Sequence, residues 1–264
     1  MRIWAFFFLF SFSNLSAQVV LNEQVAAITI EPSPKTSLNL HIIQLVRNSK
    51  TTNSITANGS SYNSPTIKVT DSLLQLQNLK LLSITNCNIE ILPDSLGKLK
   101  KLHKINLSGN KINSIPASIG NLDNLTSLEI GANKLNSLPN SISSLQNLTT
   151  LVIGYCKFTS LPASVTKLAS LETLIIKGNM IDSLPREIKN LKNLKMLDFS
   201  ICEFQSFPKE VLELKTLEVL ICYGNKFFEL PDLSVLKNLK KLYIDKSVFD
   251  VTKLQKDLPN CLIL

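Results

Sequence analysis

Apolar residues along most of this chain recur with a period of 23, longer than the period of any single helix or strand. Leu79, Leu102, Leu125, Leu148, Leu171, Leu194 and Leu217 are each 23 residues apart, and Leu239 follows after 22. Take that leucine as position one. Position four is then Leu82, Ile105, Leu128, Leu151, Leu174, Leu197, Leu220 and Leu242. Position six is Ile84, Leu107, Ile130, Ile153, Ile176, Phe199, Cys222 and Ile244. Position nine is Cys87, Asn110, Asn133, Cys156, Asn179, Cys202, Asn225 and Ser247, and position fifteen is Pro from Pro93 through Pro231. Seven full units and a partial eighth fit L-x-x-L-x-L-x-x-N/C-x-L-x-x-L-P. Self-similarity at a fixed phase marks a stack of repeated supersecondary units.

Each column has a physical reading. Positions four and six alternate, so they face inward from a short strand. Position nine lies where the chain bends out of the strand. An Asn there can bond orphaned backbone groups of neighbouring turns, and a Cys thiol can substitute weakly. Pro at position fifteen sends the return leg along an extended path. Leu96, Ile119, Ile142, Val165, Ile188 and Val211 close the core from the outer side. No unit can bury its own apolar edge, so the units stack as a solenoid.

The stretch Leu125-Thr-Ser-Leu-Glu-Ile-Gly-Ala-Asn133-Lys-Leu-Asn-Ser-Leu-Pro139 shows the template best. On these columns the chain resembles leucine-rich-repeat proteins of the 23-residue Leu-Pro type, over about residues 73–264. Such repeats are similar to those of Ras-pathway scaffolds, plant Ras-group proteins and bacterial surface proteins. The resemblance implies an α/β solenoid: a right-handed coil with a parallel sheet on its concave face and irregular or short-helical structure on the convex side. It says little about function, which lives in sites rather than in folds.

The ends differ from the repeats. Arg2 followed by the apolar run Phe6–Phe12 and a polar exit to Ala17 reads as a signal peptide over residues 1–17, with Gln18 as the new N-terminus. An uncleaved anchor is the alternative. Residues 18–72 read as an N-terminal cap with a flexible segment, since 48–66 are rich in Ser, Thr and Asn, the composition of a loop, and a partly disordered leader is the alternative. The array is expected over 73–253, with a C-terminal cap over 254–264.

Composition narrows the function. Apolar residues make up 44% and charged residues 18%, a globular balance. The formal charge of +8 favours acidic partners only weakly. Lys111, Lys134, Lys157 and Lys226 form a partial column at position ten, but no aromatic residues interleave with it, so nucleic acid is not an expected partner. His41 and His103 are far apart with no fixed partners, and no catalytic or phosphate-binding motif is present. Neither enzyme chemistry nor a cofactor or metal is expected. Cys156 and Cys202 lie two turns apart, about 10 Å and beyond disulfide reach. The five cysteines therefore read as buried free thiols.

The informative surface is the outward face of the strands, at positions three, five and seven. In early units it is polar or small: Lys104, Asn106, Ser108, Ser127, Glu129 and Gly131. Later it becomes apolar and aromatic: Val152, Ile175, Met196, Val219, Ile221, Tyr223 and Tyr243, with Lys177, Asp198 and Asp245 among them and Tyr155 at its border. A contiguous exposed apolar patch with aromatic anchors is what a protein-binding surface uses. The expected function is a secreted or periplasmic, monomeric, non-catalytic module that recognises a partner protein on this face. The mature chain is not expected to span a membrane. A signalling scaffold inside the cell and a structural surface protein without a dedicated ligand are the alternatives.

Overall fold

The computed structural model describes residues 18–22, 27–31, 53–59, 69 and 76–264. The segment read as a signal peptide, 1–17, lies outside the described residues, as does His41. Twelve strands form one sheet in sequence order. They are β1 Gln18–Asn22, β2 Ala27–Glu31, β3 Ser54–Asn58, β4 Leu81–Thr85, β5 Lys104–Asn106, β6 Ser127–Glu129, β7 Thr150–Val152, β8 Thr173–Ile175, β9 Met196–Asp198, β10 Val219–Ile221, β11 Lys241–Tyr243 and β12 Leu262–Ile263. β1 and β2 pair antiparallel, and each later pair is parallel. The chain thus has the α/β solenoid expected from the repeat.

The register follows the 23-residue period. Leu82, Ile105, Leu128, Leu151, Leu174, Leu197, Leu220, Leu242 and Ile263 lie side by side on successive strands. All are buried, as are the position-one leucines. The sheet also runs on past the first unit. Ser54–Asn58, inside the stretch whose composition predicts a loop, is a strand in register with Leu81–Thr85. Ile55 and Ala57 point inward and are 1% exposed, so two apolar residues at a spacing of two are enough to extend the core over the first repeat.

The return legs form short 3-10 helices: Asp94–Lys98, Ala117–Asn121, Asn140–Ser144, Val165–Lys167, Arg186–Asn190 and Lys209–Glu213. Five of them start directly after the position-fifteen proline, whose extended backbone (φ −64 at Pro116, ψ 145) turns the chain into the helix. Each helix buries one aliphatic residue in the core: Leu96, Ile119, Ile142, Val165, Ile188 and Val211. The following leucine closes it, as Leu122 does by donating its N–H to the Ile119 carbonyl. Toward the C-terminus the filling becomes aromatic: Phe199 packs on Phe204 at 5.0 Å and Phe207 on Phe227 at 5.6 Å. Next to Phe199 in the position-six column stands the small Cys222, so a large side chain and a small one share adjacent layers. Beyond β11 a helix α1, Val251–Asp257, is capped by the Asp250 carboxylate and buries Leu254 over the last layer.

Two side-chain ladders stitch the turns. At position nine, Asn110 Oδ1 accepts the N–H groups of Cys87 and Ile89, both at 3.0 Å. Its Nδ2 donates to the carbonyls of Ile84 and Leu107, both at 2.8 Å. Asn133, Asn179 and Asn225 repeat the pattern. Where Cys stands instead, Cys156 and Cys202 donate weakly, at 3.7 and 3.6 Å, to the carbonyls of Ile130 and Ile176. A second ladder, which the position analysis passed over, precedes position one: Asn124, Asn147, Asn193 and Asn238 donate to carbonyls of Lys100, Asp123, Ala169 and Lys215.

Replacing Asn133 by Ala strands the Ile112 N–H and removes the donor from the Ile130 carbonyl. The variant is expected to lose about 3 kcal/mol in urea unfolding, and Asn133→Cys less, because each orphaned buried group costs about 1–3 kcal/mol. A loss under about 1 kcal/mol for Asn133→Ala would contradict the role given to this column.

Candidate functional site

The outward positions of the later strands form three aligned columns. Position five runs Glu129, Val152, Ile175, Asp198, Ile221, Tyr243 across β6 to β11. Position three runs Thr173, Met196, Val219, Lys241 across β8 to β11. Position seven holds Lys177, Ser200, Tyr223 and Asp245. There the ladder continues beyond the formal strands, with Gly178 N donating to Ser200 O and Ile201 N to Tyr223 O, both at 2.9 Å. All ten residues singled out from the sequence fall on this surface or at its edge. Val152, Ile175, Lys177, Met196, Val219, Ile221 and Tyr243 are half-buried, while Tyr155 and Tyr223 are 50% and 37% exposed.

Asp198 departs from the expectation of an exposed outward face. It is only 5% exposed. Its Oδ1 accepts the N–H of Ser200 at 3.0 Å and the Ser200 hydroxyl at 2.6 Å. Its neighbours in register are Ile175 and Ile221. The opening polar units behave otherwise: Asn106 donates to Glu129 Oε2 at 2.9 Å, so early in the array the polar groups satisfy one another.

Position eight borders the face and carries a backbone constraint that the side chains do not announce. Asn86, Gly109, Ala132, Tyr155, Gly178, Ile201 and Gly224 all have positive φ, between 52 and 72. Glycine adopts this conformation freely, whereas a β-branched residue such as Ile201 is strained there. Tyr155 and Ile201 nonetheless stay exposed, at 50% and 43%. The Tyr155 ring lies where a Cβ on Gly178 would come within 2.3 Å of it, and Lys177 Nζ sits 5.4 Å from the ring centroid. Met180, at position ten, is 51% exposed on the same side. Ile201 and Met180 escaped the sequence reading, although apolar residues at positions that elsewhere carry Gly, Asn or Lys were the available signal.

Three ion pairs lie along the edges among the described residues. Lys195 meets Glu172 at 3.0 Å and Lys240 meets Glu218 at 2.7 Å, both at position two, while Lys226 pairs with Glu203 at position ten. These pairs are exposed and contribute little to stability. Lys111, Lys134 and Lys157 are exposed. His103 is exposed, with Nδ1 2.7 Å from the Lys101 carbonyl.

The five cysteines are free thiols, four buried and Cys156 half-buried, which corrects the expectation that all five are buried. Burial pushes Cys87 and Cys202 up to about 11. It also raises Cys156, against the opposing pull of backbone hydrogen bonds from Asn133 and Leu135. Those two amides belong to positions nine and eleven of the preceding unit, the pair that an Asn oxygen takes elsewhere in the ladder. Cys222, fully buried, is raised further by desolvation and then by the charges of Asp245 and Asp198. Such thiols are poor nucleophiles. Among the described residues no group of three or more His, Cys, Asp or Glu could hold a metal ion, and no helix is long and apolar enough to cross a membrane.

Two outcomes are expected. Gly178→Ala should lose about 2 kcal/mol or more in chemical unfolding, since it meets both the positive φ and the Tyr155 ring. Adding Tyr155→Ala should restore part of that loss, and a fully additive double variant would contradict the contact. The raised thiols favour the protonated folded state. Their contribution is complete below the ordinary value of 9.0 and fades as pH rises through about 11. Stability should therefore fall across pH 9 to 11 by more in the parent than in a Cys87→Ala/Cys202→Ala variant, as read from urea midpoints. Equal slopes would contradict it.

The family model described as Leucine rich repeat matches residues 77–135, 101–158 and 146–204. Comparison with curated protein sequences gives no match. Among solved structures, a leucine-rich-repeat protein of Leptospira interrogans is similar over 96% of this chain and 94% of its own, at 24% identity and a TM-score of 0.57. An internalin of Listeria monocytogenes is similar over 92% of this chain and 80% of its own, at 19% identity and a TM-score of 0.61. The Arabidopsis receptor kinase HAESA, solved with the peptide hormone IDA and the co-receptor SERK1, is similar over 72% of this chain but 33% of its own, at 26% identity and a TM-score of 0.58. The repeat columns, the ladder at position nine and these likenesses agree: residues 77–204 are leucine-rich repeats, and the chain has the α/β solenoid fold of leucine-rich-repeat proteins.

Proposed function

We propose that this chain is a secreted, non-catalytic protein-recognition module that binds its partner on the concave, outward face of units four to eight. One observation carries the reading. Val152, Ile175, Ile221 and Tyr243 stand in one register column, with Met196 and Val219 beside them and Tyr223 at the edge, all left half-buried or exposed. Apolar surface of this extent, aligned across five strands and anchored by aromatic residues, is costly to leave in water and is the raw material of binding hot spots.

Two features support the wider reading. The basic start and the apolar run Phe6–Phe12 suit export. Structural likenesses include receptors solved with peptide ligands, the plant receptor RGFR1 with RGF2 and HAESA with IDA. The five thiols lie in the stack itself.

A partner captured by the parent from its native surroundings is expected to lose binding at least tenfold, about 1.4 kcal/mol, to Ile175→Asp or Tyr223→Ala, with circular dichroism unchanged. If both folded variants bind as the parent does, this face is not the site. N-terminal sequencing of the exported protein should begin at Gln18, and a retained Met1 on protein confined to the cytosol would contradict the secreted assignment.

A further inference from the structure

We propose that Asp198 is the anchor for a basic side chain, an arginine or a lysine, presented by the protein partner; the inference rests on the recognition reading above and deepens it. Asp198 is more than nine-tenths buried, yet it lies on the outward side of β9 in the middle of the apolar columns. One carboxylate oxygen is committed to the N–H and hydroxyl of Ser200. Among the described residues no hydrogen bond or ion pair reaches the other oxygen, and it is not among the fully buried atoms left without a partner, so it keeps an opening onto the outward face.

The turn does not need the charge. In the second unit Asn106, also at position five, accepts the Ser108 N–H at 3.0 Å through a neutral amide, two residues apart as Asp198 and Ser200 are. An Asn at 198 would close the same turn without burying a charge, and burying an unpaired charge is expensive. The lysines nearby go elsewhere. Lys177, two residues beyond the neighbour Ile175, holds its ammonium over the Tyr155 ring at 5.4 Å, and Lys195 and Lys240 pair with Glu172 and Glu218 along the strand starts. A second carboxylate, Asp245, shares the face and accepts the Gly224 N–H at 2.7 Å. The face thus holds two carboxylates, with Asp198 at its apolar centre, and two lysines, Lys177 and Lys241, neither of which forms an ion pair with Asp198 among the described residues.

That combination selects a ligand chemistry. Arginine and lysine bring an aliphatic stem that can lie along Ile175 and Ile221 and a cationic head that can donate to the free Asp198 oxygen. A carboxylate-bearing or purely apolar side chain would leave that oxygen buried without a partner.

The test uses the full chain as bait for a random-peptide display library, with Ile175→Asp and Asp198→Asn as parallel baits. Asp198→Asn should keep the parent's melting temperature, because the Ser200 bond survives. Peptides selected on the parent should share an arginine or lysine. Changing that residue to norleucine should cost about tenfold in affinity on the parent and little on Asp198→Asn. If the peptides lose binding on Ile175→Asp but share no basic residue, or if the norleucine change costs the same on parent and Asp198→Asn, the anchor is refuted while the face stands. If Ile175→Asp binds them as the parent does, or if no binders are selected, face and anchor fail together. An Asp198→Asn variant that unfolds would show the charge to be structural and would also overturn the proposal.

Discussion

Wherever a strand ends and the chain turns away, two N–H groups and two carbonyls lose their ladder partners inside a dry core. In this molecule the position-nine asparagines meet that need, each with an oxygen reaching back one unit and a nitrogen reaching two carbonyls. Buried backbone groups left unpaired would undo the stability gained from packing leucines. The stack therefore depends on side chains of which Asn110, Asn133 and Asn179 are only 4–6% exposed, while Asn225 is half-buried. The Cys substitutions are tolerated because a thiol offers a weak donor to the same carbonyl, and its sulfur can take the amides that an Asn oxygen would take.

With positions one, four, six, nine and eleven committed to the stack, chemistry that differs between units is left to the outward faces. The early units use polar pairs such as Asn106–Glu129, while the later ones trade these for aliphatic and aromatic residues. The same shift appears inside, where Phe199, Phe204, Phe207 and Phe227 replace aliphatic filling under the very strands that carry the apolar face. Beneath the proposed recognition face such ring packing would help hold side chains in place and so lower the entropy lost on binding.

Most of the fold was legible because its determinants repeat. A leucine every 23 residues survives any uncertainty about one unit, and the prolines mark the return legs just as openly. What stayed hidden has particular causes. Asn86, Ala132, Tyr155, Ile201 and the glycines share a left-handed backbone but no side-chain chemistry, so the position-eight column is invisible to residue type. The strand at 54–58 is masked by Ser, Thr and Asn, and only Ile55 and Ala57 betray its inner face. The face residues were found by alternation alone. The burial of Asp198 was not, because its neighbours in register, Ile175 and Ile221, come from strands a full period away on either side.

Native-state hydrogen exchange tests the stacking account most directly. The amides of Ile89, Ile112 and Phe158, each accepted by an asparagine oxygen of the next unit, lie outside the formal strands and would exchange readily if those bonds were incidental. The account predicts that they exchange as slowly as the central strand amides, through opening of the stack as a unit. Exchange at the rate of amides in solvent-exposed turns would contradict it.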